Sequence, residues 1–242
     1  MNAILVRVGI DQKYGRWNAP MDPKTRRFVF VPIWDSESKV YLPNHARSYD
    51  EILQPLADFA SAHGAPDLRL PPSLLQRKMH LDPDFSHLTY GDKFTRRGKG
   101  IAQLNPGDML VFYSGLRSIK PPAQLVYALI GLFVVEKILR ACDIPAAYSH
   151  QNAHTRWTPV SGEDVVVRAA RGRSGRFDRC IPIGEWRDGA YRVRSDIEEA
   201  WGGLGVKNGF IQRSVVPPTL KSATTFARWF RQQSVKLLER NN

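Results

Sequence analysis

GDMLVFYSGL, residues 107–116, and LVYALIGLFVVEKIL, residues 125–139, are the most apolar part of the chain, and how they pair decides the fold. Both are rich in β-branched and aromatic residues, and the loop RSIKPPAQ between them carries two prolines that no strand interior tolerates. Two strong strands joined by a Pro-Pro loop predict neighbours in a mixed or antiparallel sheet. Upstream, AILVRVGID (3–11) reads as an early strand. KYGRWNAPMDPKTRR (13–27) reads as a long loop carrying Tyr14, Arg16, Trp17 and Asn18, and FVFVPI (28–33) as a second strand.

Between 48 and 63, Ile52, Leu53, Leu56, Phe59 and Ala60 recur at helical spacing, with the helix proper expected to start at Pro55. Downstream, VVVRAA, RCIPI and YRVRS within 165–195 give three more short β-like runs. SDIEEAW (195–201) reads as a short helix capped by Ser195, and 222–240 as a helix whose apolar face is Phe226, Trp229, Phe230 and Leu237. The chain shows no internal repeat, no low-complexity segment and no linker. The economical expectation is one α/β (α+β) domain over 1–242, a mostly antiparallel sheet or barrel with flanking helices.

At 242 residues and 43% hydrophobic content the chain can bury a real core. Thirty-five Lys and Arg against 23 Asp and Glu leave a net charge of +12, a balance that favours a polyanionic partner such as nucleic acid; the alternative is a generally basic, soluble surface, and charge alone does not decide between them. Cys142 and Cys180 form no paired spacing, so neither a zinc ribbon nor a disulfide scaffold is expected, and two reduced thiols fit a cytoplasmic setting. The apolar run at 125–135 is well under membrane-spanning length, and the N-terminal stretch lacks a cleavable leader pattern.

Chemistry concentrates in MHLDPDFSHLTYGD, residues 79–92. Asp82-Pro83-Asp84 rules out a helical pair of histidine ligands. In an extended segment His80, Asp82 and Asp84 can converge on one side, where an imidazole and carboxylates either hold a divalent ion or exchange a proton. The spacing matches no strong metal signature, and no metal ligand set or cofactor is assigned. The bland alternative is that the aspartates cap a turn. Asp92 closes the stretch, and His154 in HTRW is a candidate acid–base partner. RAARGRSGRFDRC (168–180) interleaves arginines with Gly172 and Gly175, a composition suited to phosphate contact through Arg171, Arg173 and Arg176, although it lacks the ending of a P-loop. Trp17, beside Asn18 and Arg16, and Trp157 are the rings least explained by core packing, and so are candidates to stack a base. Cys180, beside an apolar strand, is expected to be buried.

GDMLVFYSG followed by ALIGLFVVEK resembles the core of PUA-like domains, especially the EVE and ASCH branch, in which a Gly-Asp turn opens a strand ending in Phe-Tyr and a later strand carries an Ile-Gly pair. Over a longer span, VGIDQKYGRWNAP, HLDPDFSHLTYGD, IPIGEWRD and WGGLGVKNGFIQRS together resemble the family named nucleotide modification associated domain 3. That resemblance implies a role in DNA base modification, with a PUA-like core at about 100–195 elaborated at both ends, and supplies no catalytic residues to transfer. The expected partner is nucleic acid, DNA ahead of RNA, or a nucleotide.

Two readings follow. In one the protein is an enzyme that alters a base in a pocket lined by His80, Asp82, Asp84 and Asp92, with His154 assisting proton transfer. In the other it is a non-catalytic reader of a modified base. A structural adaptor would instead show a large apolar patch on the C-terminal helix.

Overall fold

The computed structural model describes residues 1–12, 16–94, 98–212 and 216–242. Tyr14, among the aromatic candidates of the first loop, lies outside the described residues.

Met109–Ser118 and Leu125–Arg140 form one long antiparallel hairpin, and the rest of the main sheet is built on it. Ala3–Arg7 pairs parallel to Met109–Tyr113, and Pro20–Met21 pairs parallel to Arg117–Ser118 at the far end. On its other edge Leu125–Arg140 pairs antiparallel with two strands, Gly175–Pro182 near its start and Asp164–Ala169 near its end. Thr89–Lys93 then joins Asp164–Ala169. The sheet is therefore mixed but mostly antiparallel, and among the described residues its strand order runs as an open path without closing into a barrel. No helix among the described residues is long and apolar enough to cross a membrane.

The continuous apolar runs of the hairpin have a direct cause, because both faces of the sheet are covered. Ile4, Val6, Leu110, Phe112, Ile130 and Phe133 face one core; Leu5, Val111, Tyr113, Leu129, Leu132 and Val134 face the other. In Leu125–Arg140 the phase changes midway, from even to odd positions on the first face. A bulge is the reason: Phe112 pairs with Gly131 but Tyr113 with Leu129, leaving Ile130 extra. Gly131 is needed there, since a β-carbon on it would lie 2.5 Å from the Phe85 ring and 3.0 Å from the Gly175 carbonyl oxygen.

Several expectations are corrected. The first helix runs over Asp50–His63, so Pro55 sits inside it, and Gly64 in the left-handed region ends it (φ 61°). Phe28, Val29, Phe30 and Val31 are buried as a strand would be, but regular pairing begins only at Ile33–Trp34. The Phe30 amide donates to the Asn242 side chain, while the Val31 carbonyl accepts from the Ile10 amide. Ser195 does not cap the helix Ser195–Ala200; its hydroxyl accepts from Arg187. The C-terminal helix is Ala223–Arg231 only. Ser234, at φ 52°, turns the chain, and Leu237–Leu238 becomes an edge strand on Arg176–Phe177. Phe226, Trp229 and Phe230 do form its apolar face, packed on the second core with Trp201 and Phe177. Cys180 is buried, and burial pushes its thiol up to about 12.

Candidate functional site

The stretch 79–92 is held in place by its own apolar residues. Leu81, Phe85 and Leu88 are buried, and the Phe85 ring meets Phe30, Phe112 and Phe133 edge-on at 5.4 to 5.8 Å between centroids. Between these anchors the polar side chains turn towards a second set of polar residues contributed by distant segments.

Met79–His80 pairs antiparallel with Ile33–Trp34, which sets the His80 ring beside Asp35. His80 Nδ1 lies 2.8 Å from Asp35 Oδ1, while Asp35 Oδ2 accepts the Tyr41 hydroxyl at 2.7 Å. Across the cluster, the short turn Ala153–Thr155 presents His154, whose amide donates to the Asn152 side chain. His154 Nδ1 lies 2.7 Å from Asp164 Oδ2. The two imidazoles are thus held in the same way, each by a buried carboxylate at Nδ1. Such a carboxylate fixes the Nδ1–H tautomer and leaves Nε2 as the lone-pair nitrogen.

Both Nε2 atoms face Asp82. Asp82 Oδ2 is 3.9 Å from His80 Nε2 and 3.7 Å from His154 Nε2. The Gly91 amide donates to both carboxylate oxygens, at 3.0 and 2.9 Å, and Asn152 Nδ2 donates to Oδ1 at 3.3 Å, so the carboxylate is aimed by neighbours that leave Oδ2 facing the rings. Gly91 is a close-approach glycine: a β-carbon there would come within 2.8 Å of His154 Cγ and 2.7 Å of Asn152 Oδ1.

Electrostatics follow from burial. Desolvation pushes the Asp82 carboxyl well above the ordinary range, only partly offset by the Gly91 amide. Burial also lowers His154, against the pull of Asp164 and with help from the neighbouring His80. For Asp35 and Asp164 burial alone would raise the carboxyl, but the bonds and charges of His80 and His154 outweigh it and hold both below the ordinary value. Two ionised carboxylates therefore flank the outer nitrogens of the imidazoles.

Trp157 walls this cluster. Its ring stacks near His80 at 6.0 Å and 23°, lies 5.7 Å from His154, and carries Lys39 Nζ over its face at 3.2 Å. Trp157 is 4% exposed, so a base could reach its face only if Lys39 moved away. Asp92 sits half-buried at the edge, accepting from the Tyr90 hydroxyl at 3.1 Å.

Asp84 is directed elsewhere. Its Oδ2 pairs with buried Arg156 at 2.6 Å and His87 Nδ1 at 3.0 Å, and its Oδ1 accepts from the amides of Ser86 and His87 and from Asn241. Burial alone would raise its carboxyl, yet the His87 hydrogen bond and the Arg156 charge hold it at about 2. This is a structural knot behind the site.

The other candidates are dispersed. Trp17 and Asn18 line a separate cleft of about 370 Å³ with Leu68 and Arg117, where Asn18 donates to the Gly115 carbonyl at 2.7 Å; Arg16 is exposed nearby in sequence, at φ 51°. The Arg-rich segment is a tight turn leading into a strand, and it lies at the opposite end of Asp164–Ala169 from Asp164, about 17 Å away for five strand steps. Arg171 is exposed and pairs with Glu239; Arg173 is exposed; Arg176 is buried against the Phe28 ring and donates to the Arg240 and Phe177 carbonyls.

Of the residues singled out in the sequence, the structure gathers His80, Asp82 and His154, with Trp157 as a wall and Asp92 at the edge. Asp35, Asp164, Asn152, Gly91 and Lys39 were not foreseen. Their common signal, a polar residue next to a run of buried ones, is too ordinary to find them without coordinates.

A family model described as nucleotide modification associated domain 3 matches residues 2–197, a span that includes every residue of the cluster. No curated protein and no solved structure matches the chain.

Proposed function

The chain belongs to the nucleotide modification associated domain 3 family, and from that premise we propose that it is an enzyme which takes a nucleobase, within nucleic acid or as a nucleotide, at the His80–Asp82–His154 cluster and alters it. One observation carries the reading: two imidazoles, each fixed at Nδ1 by its own buried carboxylate, direct Nε2 at one oxygen of a third carboxylate. A fold gains little from this. Burying three carboxylates and two imidazoles costs desolvation that apolar residues of similar volume would avoid, and such clusters are where perturbed ionisable groups do chemistry. Burial raises the Asp82 carboxyl and lowers the His154 imidazole, and ionisable groups perturbed in this way cluster at functional sites. The net charge of +12 supports a polyanionic substrate, with DNA the first class to test and Arg171 and Arg173 as outlying phosphate contacts.

The test is binding of the purified protein to single- and double-stranded DNA and RNA and to free nucleotides over a salt series, followed by mass spectrometry of the nucleosides after incubation. A changed nucleoside with wild type and none with His80→Gln supports the enzyme. Selective binding with no changed nucleoside under any condition makes the protein a reader. Failure of the folded protein to bind any of these ligands at low salt overturns both.

A further inference from the structure

We propose that His80 Nε2, Asp82 Oδ2 and His154 Nε2 are the three protein ligands of a divalent first-row transition-metal ion. The inference rests on the functional reading above for what the ion is used for, and on the geometry alone for its existence.

The three donor atoms lie within 4.8 Å of one another. Ligands on a tetrahedral centre with bonds near 2.1 Å stand about 3.4 Å apart, so the two pairs at 3.9 and 3.7 Å need only a small inward rotation to share one ion. Neither Nε2 has a hydrogen-bond partner among the described residues, although His154 is only 8% exposed. With each Nδ1 engaged by a carboxylate, the two Nε2 atoms and Asp82 Oδ2 turn their lone pairs towards one point. A divalent cation at that point would satisfy all three at once.

The surroundings are those of a metal centre one shell out. Ligating histidines ordinarily donate the other ring N–H to a carboxylate, which fixes the tautomer and makes the ligand nitrogen more basic; Asp35 and Asp164 stand in that place. The third ligand is aimed in the same manner by Gly91 and Asn152. Two histidines and one carboxylate suit zinc, iron(II), manganese(II) or cobalt(II) and fit magnesium or calcium poorly, because imidazole is a soft ligand for those ions. Three protein ligands also leave coordination positions for water or a substrate oxygen. Since His80 is the more exposed of the two histidines, those positions open on its side.

The test uses the full chain, stripped with chelator and titrated separately with zinc, manganese(II) and cobalt(II) by calorimetry, with the cobalt form read by its visible ligand-field absorption and by thermal melting. One equivalent bound, a cobalt spectrum of low coordination number, and a raised melting temperature are expected. His80→Gln and His154→Ala should each weaken binding at least 100-fold and abolish the spectrum, while Lys24→Ala, at an exposed position outside the site, leaves both unchanged. Should His154→Ala fail to fold, His80→Gln, at a partly exposed position, decides alone. A folded wild type that binds none of the three ions, or binding that survives His80→Gln undiminished, overturns the proposal. Because no nucleic acid enters this experiment, its failure would leave the base-altering reading standing, and the nucleoside assay could fail with the metal site intact.

Discussion

His154 and Asp164 are joined through Nδ1 and Oδ2 at 2.7 Å, and the bond spans a buried gap between a short turn and the first residue of a central strand. The other Asp164 oxygen is buried and has no hydrogen-bond partner among the described residues, so the carboxylate's hydrogen bonding is directed to this imidazole. Asp164→Asn keeps the shape but can offer an amide N–H to Nδ1, which moves the ring proton to Nε2. Activity or metal affinity should fall 10- to 100-fold, as is usual for loss of such a supporting carboxylate, with little change in melting. Nitrogen-detected NMR of the imidazole would show the tautomer directly; an unchanged tautomer with unchanged affinity would refute the assignment.

Gly91→Ala places a methyl against the His154 ring and Asn152. Overpacking of this kind costs about 1–3 kcal/mol, and the ring, pushed aside, should lose its alignment with Asp82. Denaturant unfolding measures the first effect and the activity or metal titration the second. A variant with wild-type function would show that His154 has room to yield.

Arg156→Met leaves Asp84 buried with only His87, Asn241 and two amides, and removal of one member of a buried ion pair costs about 3–5 kcal/mol. Adding Asp84→Asn should return part of that loss. The double-variant cycle, read by chemical denaturation, tests whether the pair is coupled; strict additivity would mean it is not.

Asp108 accepts from the amides of Asn2 and Asn105 and from the Asn2 side chain, tying the chain's start to the head of the hairpin. Burial would raise its carboxyl, but these bonds hold it below the ordinary value. A carboxyl whose folded pKa is depressed stabilises the protein fully above its unfolded pKa of about 3.9 and loses that contribution as pH falls through the folded value. Asp108→Asn should therefore be less stable than wild type at pH 6–7 by about 1–3 kcal/mol, with the difference shrinking below about pH 4. Melting curves across that range check the sign; a gap that widened on acidification would contradict it.

The hairpin was legible because its two runs are unbroken by charge over 109–113 and 125–135, which is what a doubly covered sheet demands, and because Gly107 and the two prolines punctuate it. Burial of Cys180 was legible for the same reason. His80, Asp82 and His154 could be named singly from their local polarity. That Asp84 turns away and that Asp35 and Asp164 hold the two imidazoles could not be read, since those segments meet only in the folded chain. The C-terminal helix was read too long because Leu237 continues the apolar face of Phe226 and Phe230 in sequence, although the chain turns at Ser234 and spends Leu237 on a strand edge. Arg176 reads as part of a basic loop until its burial is seen.

Phe85 sits three residues from Asp82 and at the same time among Phe30, Phe112 and Phe133, the rings that fill the main core. The stretch that carries His80 and Asp82 is thereby bolted to the main aromatic core rather than carried on a lid. Loosening the histidine cluster without melting the sheet has no route through such an anchor. Thermal inactivation and loss of tertiary structure should consequently trace a single curve, with no warm, folded, inactive interval between them.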